Sequence, residues 1–169
     1  MIKGKNTIRI LGVDPGFDRL GVCILDKVSG KETLIFSTCI HTSRKDSFEK
    51  RLHSLGQALE KIIKKYTPDE LAIETLFFTT NQKTVIAVAE VRGVCLYLAY
   101  SYKLTVHEYS PPQVKVAVTG YGKASKEDLA TMVPKIIGKQ GTSGLIDDEM
   151  DAIAIALTHS AHRKILSWK

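Results

Sequence analysis

The sequence predicts a single α/β domain over residues 1–169, in which a mixed five-stranded sheet is flanked by helices. Two observations support this fold class. Three segments typical of strands come first, and from residue 46 the spacing of apolar residues changes to that of a helix. From there helical segments alternate with short buried strands, which predicts that parallel strands extend an antiparallel meander. A chain of 169 residues, 44% of them hydrophobic, is sufficient for one such domain.

The meander is predicted from three segments that are separated by turn residues. Residues 7–14 are rich in β-branched side chains, residues 19–27 follow Pro15-Gly16, and residues 32–40 follow Ser29-Gly30. Pro-Gly and Ser-Gly pairs favour tight turns, so the three strands are expected to run antiparallel in sequence order.

The rest of the chain is predicted from apolar spacing and from capping residues. Two short apolar runs, 70–74 and 104–108, are typical of buried strands. Ser110 and Ser125 are expected to cap helices, since each precedes helix-compatible residues. The predicted helices cover 46–67, 81–102, 110–118, 125–137 and about 147–167.

The charge of the chain favours a polyanionic partner. Its 24 Lys and Arg residues against 18 Asp and Glu residues give a formal net charge of +6, and nucleic acid is the expected polyanion. No apolar segment approaches the roughly 20 residues of a membrane span. The first ten residues do not resemble an export signal. A cytoplasmic protein without a membrane partner is therefore expected.

Acidic residues stand at positions where burial is costly. Asp14 ends an apolar strand just before a Pro-Gly turn, and Glu74 ends the first short buried strand. Asp148 and Asp151 open the last helix three residues apart, which puts them on the same helix face. Three distant segments are therefore expected to bring four carboxylates to one edge of the sheet.

Such a cluster repels itself and is expected to bind divalent metal. Oxygen ligands without His or Cys suit Mg²⁺, for which Mn²⁺ substitutes. Two ions about 3.5–4 Å apart can bind the attacking water and the leaving oxygen of a phosphodiester. The alternative is structural: Asp14 would only begin a turn, and Asp148 would only stabilise a helix N-terminus. Glu74 has neither explanation, which favours the metal site.

The same residues carry a resemblance to the RuvC-type Holliday junction resolvases, which have an RNase H-like fold. Residues 10–16 (ILGVDPG), 71–77 (LAIETLF) and 148–159 (DEMDAIAIALTH) resemble three motifs of that family, in order and over nearly the whole chain. The resemblance implies a homodimeric, metal-dependent crossover junction endodeoxyribonuclease of recombination and repair. It would cut two opposed strands of a four-way DNA junction, and a branch-migration helicase complex is a candidate further partner. The implied catalytic and metal-binding residues are Asp14, Glu74, Asp148 and Asp151.

Candidate DNA contacts follow partly from the same resemblance. Lys115 and Lys126 occupy positions where the family uses lysines near the scissile phosphate, and Phe77 one where an aromatic ring contacts distorted bases. Lys123 and Tyr121, in the segment between the two lysines, are further candidates. The alternatives are that the lysines are only solvated and that Phe77 belongs to the core.

Helix 81–102 is apolar on two stripes and therefore needs cover on both sides. The first stripe runs through Val85, Val88, Val91, Cys95 and Leu98, and the second through Ile86, Ala89, Gly93, Leu96 and Tyr100. A second copy of the chain would cover one stripe and present two equal sites to a junction that is nearly two-fold symmetric. A neighbouring helix of the same chain, such as the last one, is the alternative cover. On that last helix, His159 and His162 can form half of a zinc site, but no further Cys or His converges in sequence, so a helix surface is expected.

Other functions are compatible with parts of this pattern. The chain can be a junction-binding module without catalysis, or a nuclease of the same fold that acts on RNA:DNA hybrids or other branched nucleic acids. An actin-like ATPase also begins with an Asp-ending strand, but that architecture needs two such domains where 169 residues provide one.

Overall fold

The computed structural model describes residues 7–76, 82–138 and 144–166, with their side chains except at 82–84 and 164–166. The strands are β1 (Ile8–Asp14), β2 (Arg19–Val28), β3 (Lys31–His41), β4 (Glu70–Glu74) and β5 (Thr105–Tyr109). They form one sheet with the order β3-β2-β1-β4-β5. Neighbours β1, β2 and β3 pair antiparallel, whereas β1, β4 and β5 pair parallel, so the predicted mixed five-stranded sheet is confirmed.

The helices follow the predicted order, and their ends lie within two residues of the predicted ones. The side chains of Ser110 and Ser125 each accept a hydrogen bond from the backbone N–H of the third residue of their helix. The side chain of that residue accepts one from the serine N–H, so both are capping boxes. The helices in the described part of the chain are α1 (Phe48–Tyr66), α2 (Gln82–Ser101), α3 (Pro111–Thr119), α4 (Lys126–Ile137) and α5 (Asp147–Leu166).

Alternate residues of β1 face opposite sides of the sheet and belong to two separate cores. Ile10 packs with residues of α3, α4 and α5 on one face. Leu11 and Val13 pack with residues of α1 and α2 on the other. This period of two is the reason that Asp14, two residues beyond Gly12, projects on the α5 face.

Two glycines let α5 lie directly on the sheet. A Cβ at Gly12 would overlap the carbonyl oxygen of Ala152, and a Cβ at Gly21 would overlap that of Asp148. Any side chain at either position would push the helix away from β1 and β2. Because Gly21 pairs with Asp14, the same close approach places the first turn of α5 over the end of β1.

Helix α2 packs beside α1 on the face of the sheet opposite to α5. The neighbouring helix of the same chain that packs on α2 is therefore α1, and the last helix does not cover the second apolar stripe. Three large side chains of that stripe and its border remain open to solvent, namely Ile86 (60% exposed), Tyr97 (72%) and Tyr100 (86%). None of the described helices combines the length and hydropathy that a membrane crossing requires.

Candidate metal centre

Strands β1 and β4 end side by side, and each ends on an acid. Val13 pairs with Ile73 in the parallel ladder, so the next residues, Asp14 and Glu74, lie at the same edge of the sheet. Both side chains are partly buried and face α5. The carboxyl ends of parallel strands are the usual position of active sites in open sheets, which makes this edge the candidate site.

The first turn of α5 brings the other two acids to the same edge. Asp148 and Asp151 are partly buried on the side of the helix that faces the sheet. The neighbouring Asp147 is exposed, and Glu149 accepts a hydrogen bond from Ser37 Oγ at 2.8 Å. The structure thus brings together the four acids that the sequence analysis selected.

The electrostatics of the cluster follow from burial and mutual repulsion. The pKa of Asp14 is raised to about 7, first by burial and then by the charges of Glu74, Asp151 and Asp148. Burial also raises the pKa of Glu74 to about 7, with Asp151 adding repulsion. The pKa of Asp151 is raised by burial as well. The cluster therefore binds protons or other cations more strongly than separate carboxylates do.

One exposed cation stands on each side of the cluster. Lys126 Nζ lies 3.4 Å from Asp151 Oδ2, and Arg19 Nη1 lies 3.2 Å from Asp148 Oδ2. The Asp148 oxygen is buried and accepts no hydrogen bond of good geometry from the described residues. Two cations for four carboxylates leave a net negative site that suits divalent metal.

The peptide groups that flank the Glu74 side chain are held from two other elements. Arg92 Nε of α2 donates to the Glu74 carbonyl at 3.4 Å, and its Nη2 pairs with Glu108 at 2.6 Å. The Thr75 N–H donates to the Tyr109 carbonyl at 2.9 Å. Sequence analysis missed Arg92, although one arginine within a mostly apolar helix was a visible signal.

The comparison with known families agrees with this arrangement. A family model described as crossover junction endodeoxyribonuclease RuvC matches residues 10–159. The chain belongs to the RuvC family. The predicted resemblance is therefore confirmed.

Individual relatives match most of the chain. Crossover junction endodeoxyribonuclease RuvC of Fusobacterium nucleatum is 40% identical over 152 residues, which cover 90% of this chain and 80% of that protein. The Petrotoga mobilis protein of the same name is 39% identical over 155 residues, 92% and 94% of the two chains. The solved structure of Thermus thermophilus RuvC in complex with a Holliday junction substrate matches with a TM-score of 0.87, 28% identity, and 95% and 97% coverage of the two chains.

The predicted DNA contacts lie in different surroundings. Of the three predicted lysines, Lys126 contacts a carboxylate of the four-acid cluster in the described part of the structure. Lys115 lies on α3, and Lys123 is exposed in the turn between α3 and α4. Tyr121, in the same turn, is 61% exposed. Phe77 lies outside the described residues.

His159 contradicts the expectation of a helix surface, because it is fully buried. It lies eleven residues after Asp148, about three helical turns along the face of α5 that covers the sheet. Its Nε2 lies 2.6 Å from Glu70 Oε2, and its Nδ1 lies 2.7 Å from the Tyr109 hydroxyl. His162 is partly buried, with Nδ1 2.9 Å from the Thr158 carbonyl.

The sequence places no further Cys or His near His159, but the fold brings another histidine to it. His107 of β5 stacks on His159 with ring centroids 4.2 Å apart, and donor atoms of Glu70, His107 and His159 lie within 4.8 Å of one another. Arg163 Nε donates to both Glu70 oxygens, at 2.9 and 2.8 Å. Because Arg163 and Tyr109 already satisfy the group, it forms an internal hydrogen-bond network of the RuvC-type domain.

Proposed function

We propose that this protein is a metal-dependent endonuclease that resolves four-way DNA junctions by hydrolysing two opposed strands. The observation that carries the proposal is the convergence of four carboxylates from β1, β4 and α5 at one sheet edge, with Asp14 and Glu74 at pKa values of about 7. Membership of a family named for crossover junction cleavage supports the reaction. A similar structure solved with a Holliday junction substrate supports the substrate.

The donor atoms of the cluster fit Mg²⁺, with Mn²⁺ as a substitute. All four are carboxylates, and the buried Asp148 Oδ2 lacks a hydrogen bond from the described residues. Asp14, Glu74, Asp148 and Asp151 would hold two ions, which when bound supply an activated water and neutralise charge on the leaving 3′ oxygen. The glutamate-histidine group around His159 fits less well, because Arg163 already occupies Glu70.

The remaining residues of the site prepare it for a phosphodiester. Lys126 adds positive charge beside Asp151, where it can bind the scissile phosphate. Arg92 fixes the backbone of Glu74, so that this carboxylate keeps its direction. Lys115, Lys123 and Tyr121 extend the proposed DNA surface along α3 and the following turn. Phe77 is proposed as a base contact on the family resemblance alone.

A homodimer is the second part of the proposal. The exposed apolar stripe of α2 borders a groove of about 510 Å³ between α1 and α2, which is lined by Leu52, Val94 and Tyr97 among others. A stripe of this kind is typical of a surface that another protein covers. Two copies related by two-fold symmetry would present two sites to one junction. A branch-migration helicase complex remains a proposed partner, supported by the family resemblance.

The proposal is tested with the purified protein on labelled synthetic substrates in Mg²⁺. We expect paired nicks in a four-way junction, and much slower cleavage of a three-way junction, a linear duplex and an RNA:DNA hybrid of the same sequence. Binding without nicking would instead support a non-catalytic junction-binding module. Preferred cleavage of the hybrid would support a different nuclease of the same fold.

A further inference from the structure

The carboxylate cluster is flanked by cations from two different elements of the fold. Lys126 comes from α4 and contacts Asp151, whereas Arg19 begins β2 and contacts Asp148. Their side chains are 71% and 55% exposed, so both can contact a large ligand as well as a carboxylate. Lys126 is a candidate DNA contact already, but Arg19 is assigned no function by the motifs or by the proposed mechanism.

Arg19 stands at the rim of a cleft that adjoins the cluster. The cleft has a volume of about 430 Å³, and the β1–β2 turn forms one wall of it. Ala87 and Val88 of α2 form the other wall, and Asp148 closes one end. A DNA strand whose phosphate lies at the four carboxylates therefore has open space on the Arg19 side.

The turn that carries Arg19 is surrounded by positive charge. Its one acidic residue, Asp18, is bound by two arginines, since Arg51 and Arg44 both pair with its carboxylate. Hydrogen bonds from Arg51 and then from Arg44 lower the pKa of Asp18, so it stays ionised and paired. Arg19, Arg44 and Arg51 against Asp18 and Asp148 leave the surroundings of this turn with a net positive charge, which suits a phosphate backbone.

The turn is also held firmly in place. The Arg51 guanidinium lies 3.8 Å from the centre of the Phe17 ring, which stacks on Phe48 with centroids 4.6 Å apart. Thr42 Oγ1 donates to the Phe17 carbonyl at 2.9 Å, and its N–H donates to the Asp18 carbonyl at 3.1 Å. A binding group on a braced turn loses little conformational freedom when a ligand arrives.

We infer that the turn over residues 15–19 is a phosphate-binding site for the DNA backbone, with Arg19 as its main ligand and Arg44 beside it. This inference rests on the proposed function: the strand to be cut crosses the carboxylates between Lys126 and Arg19. The planar guanidinium of arginine matches two phosphate oxygens at once, which an amine does not. Arg44, 83% exposed next to Asp18, would contact a neighbouring phosphate of the same strand.

The test measures binding of a fluorescent four-way junction in Mg²⁺ as a function of salt. An Asp14→Asn parent is used so that no strand is cut. Adding Arg19→Gln is expected to weaken binding about tenfold and to reduce the slope of log affinity against log salt by about one. Arg44→Gln should reduce the slope in the same direction, and Arg19→Lys should retain most of it.

Lys31→Gln is the matched control, because it removes one exposed charge at the opposite end of the sheet, where β3 begins. It should leave the salt slope unchanged. The inference is wrong if Arg19→Gln and Arg44→Gln bind with the parent's slope. It is also wrong if Arg19→Gln changes Mn²⁺ affinity in calorimetry without DNA while the slope stays the same, since Arg19 would then only balance Asp148. If the wild-type protein does not prefer the junction to a duplex, the proposed function fails first.

Discussion

Two clusters of titratable side chains lie at opposite ends of the sheet face that α5 covers, and the pKa values of their acids are shifted in opposite directions. At the first turn of α5, burial and mutual repulsion raise the pKa values of Asp14 and Glu74 to about 7. Near its last turns, burial acts on Glu70 in the same direction, but hydrogen bonds from His159 and Arg163 outweigh it and lower the pKa to about 2.

The difference supports a structural role for the cluster around Glu70 and agrees with the metal-binding role proposed for the cluster around Asp14. The group around Glu70 contains its own cation and hydrogen-bond donors, so it is complete without a ligand. The group around Asp14 has more negative than positive charge, and its repulsion opposes folding until a cation is bound. Such an electrostatically unfavourable site is expected where a protein must bind metal and phosphate.

The largest expected effect comes from Asp14→Asn. Removing one carboxylate should reduce junction cleavage in Mg²⁺ by at least roughly 10³-fold. Loss of a residue that only supports a metal ligand costs about 10- to 100-fold, and loss of the ligand itself should cost more. Junction binding should persist, since other residues hold the DNA. Without metal, the melting temperature should rise, because one repelling charge has been removed. Normal cleavage by this variant would disprove the assignment of the cluster.

Glu70→Gln should lower stability and leave junction cleavage nearly unchanged. Breaking the pairs with His159 and Arg163 should lower the free energy of unfolding by about 2–3 kcal/mol, below the value for a fully buried pair because Arg163 is partly exposed. Urea denaturation measures this loss. Cleavage by the folded variant should be close to that of the wild type. A large loss of cleavage at full folding would mean that the network also acts on the active site.

Two arginines allow a matched comparison of the clusters, since Arg92 and Arg163 each extend from a helix to a strand residue of one cluster. Arg92→Gln should weaken apparent Mg²⁺ affinity and reduce kcat, each by about tenfold, because the Glu74 backbone loses a donor. Arg163→Gln should lower stability without either kinetic change. Equal kinetic effects of the two variants would show that Arg92 acts only through stability.

The smallest expected effect is on the pH dependence of stability without metal. The folded pKa values of Asp14 and Glu74 lie above their unfolded values, so their contribution is most favourable below about pH 4 and is lost as the pH rises to about 7. Glu70 has a lowered folded pKa, so its contribution is present above about pH 4.5 and is lost towards pH 2.

Melting curves with a chelator should therefore show a decrease of a few degrees between about pH 4 and 7. Mg²⁺ should remove this decrease at the upper end of the range. Asp14→Asn should reduce the decrease, whereas Glu70→Gln should reduce the loss on the acid side. A melting temperature that rises steadily from pH 4 to 7 in Asp14→Asn and wild type alike would contradict the raised pKa values.

Local patterns predicted most of the fold. The β-branched residues of segment 7–14 predicted a strand, and the residues after Ser110 and Ser125 predicted two helix starts, because strand propensity and capping are properties of neighbouring residues. Asp14 and Glu74 could be selected as a pair because the ends of parallel strands meet at one edge. The spacing of Asp148 and Asp151 fixed their common face.

Contacts between distant segments escaped such reasoning. Nothing in the spacing of α5 indicates that His159 meets His107 and Glu70, which are brought to it by β5 and β4. Arg19 was hidden for the same reason, since its contact with Asp148 spans most of the chain. Whether a charge is paired or unpaired depends on such contacts.

The sequence alone determined the order of the elements, the family and the four acids, because these depend on residue types at short spacing. The tertiary structure decided which acids are balanced by cations and which are not. This outcome depends on Gly12 and Gly21, because their lack of side chains lets α5 approach the sheet closely. The first turn of α5 then lies on Asp14, and its later turns reach Glu70. One helix, placed by close packing, thus completes both the unbalanced cluster that we propose binds metal and a neutralised structural one.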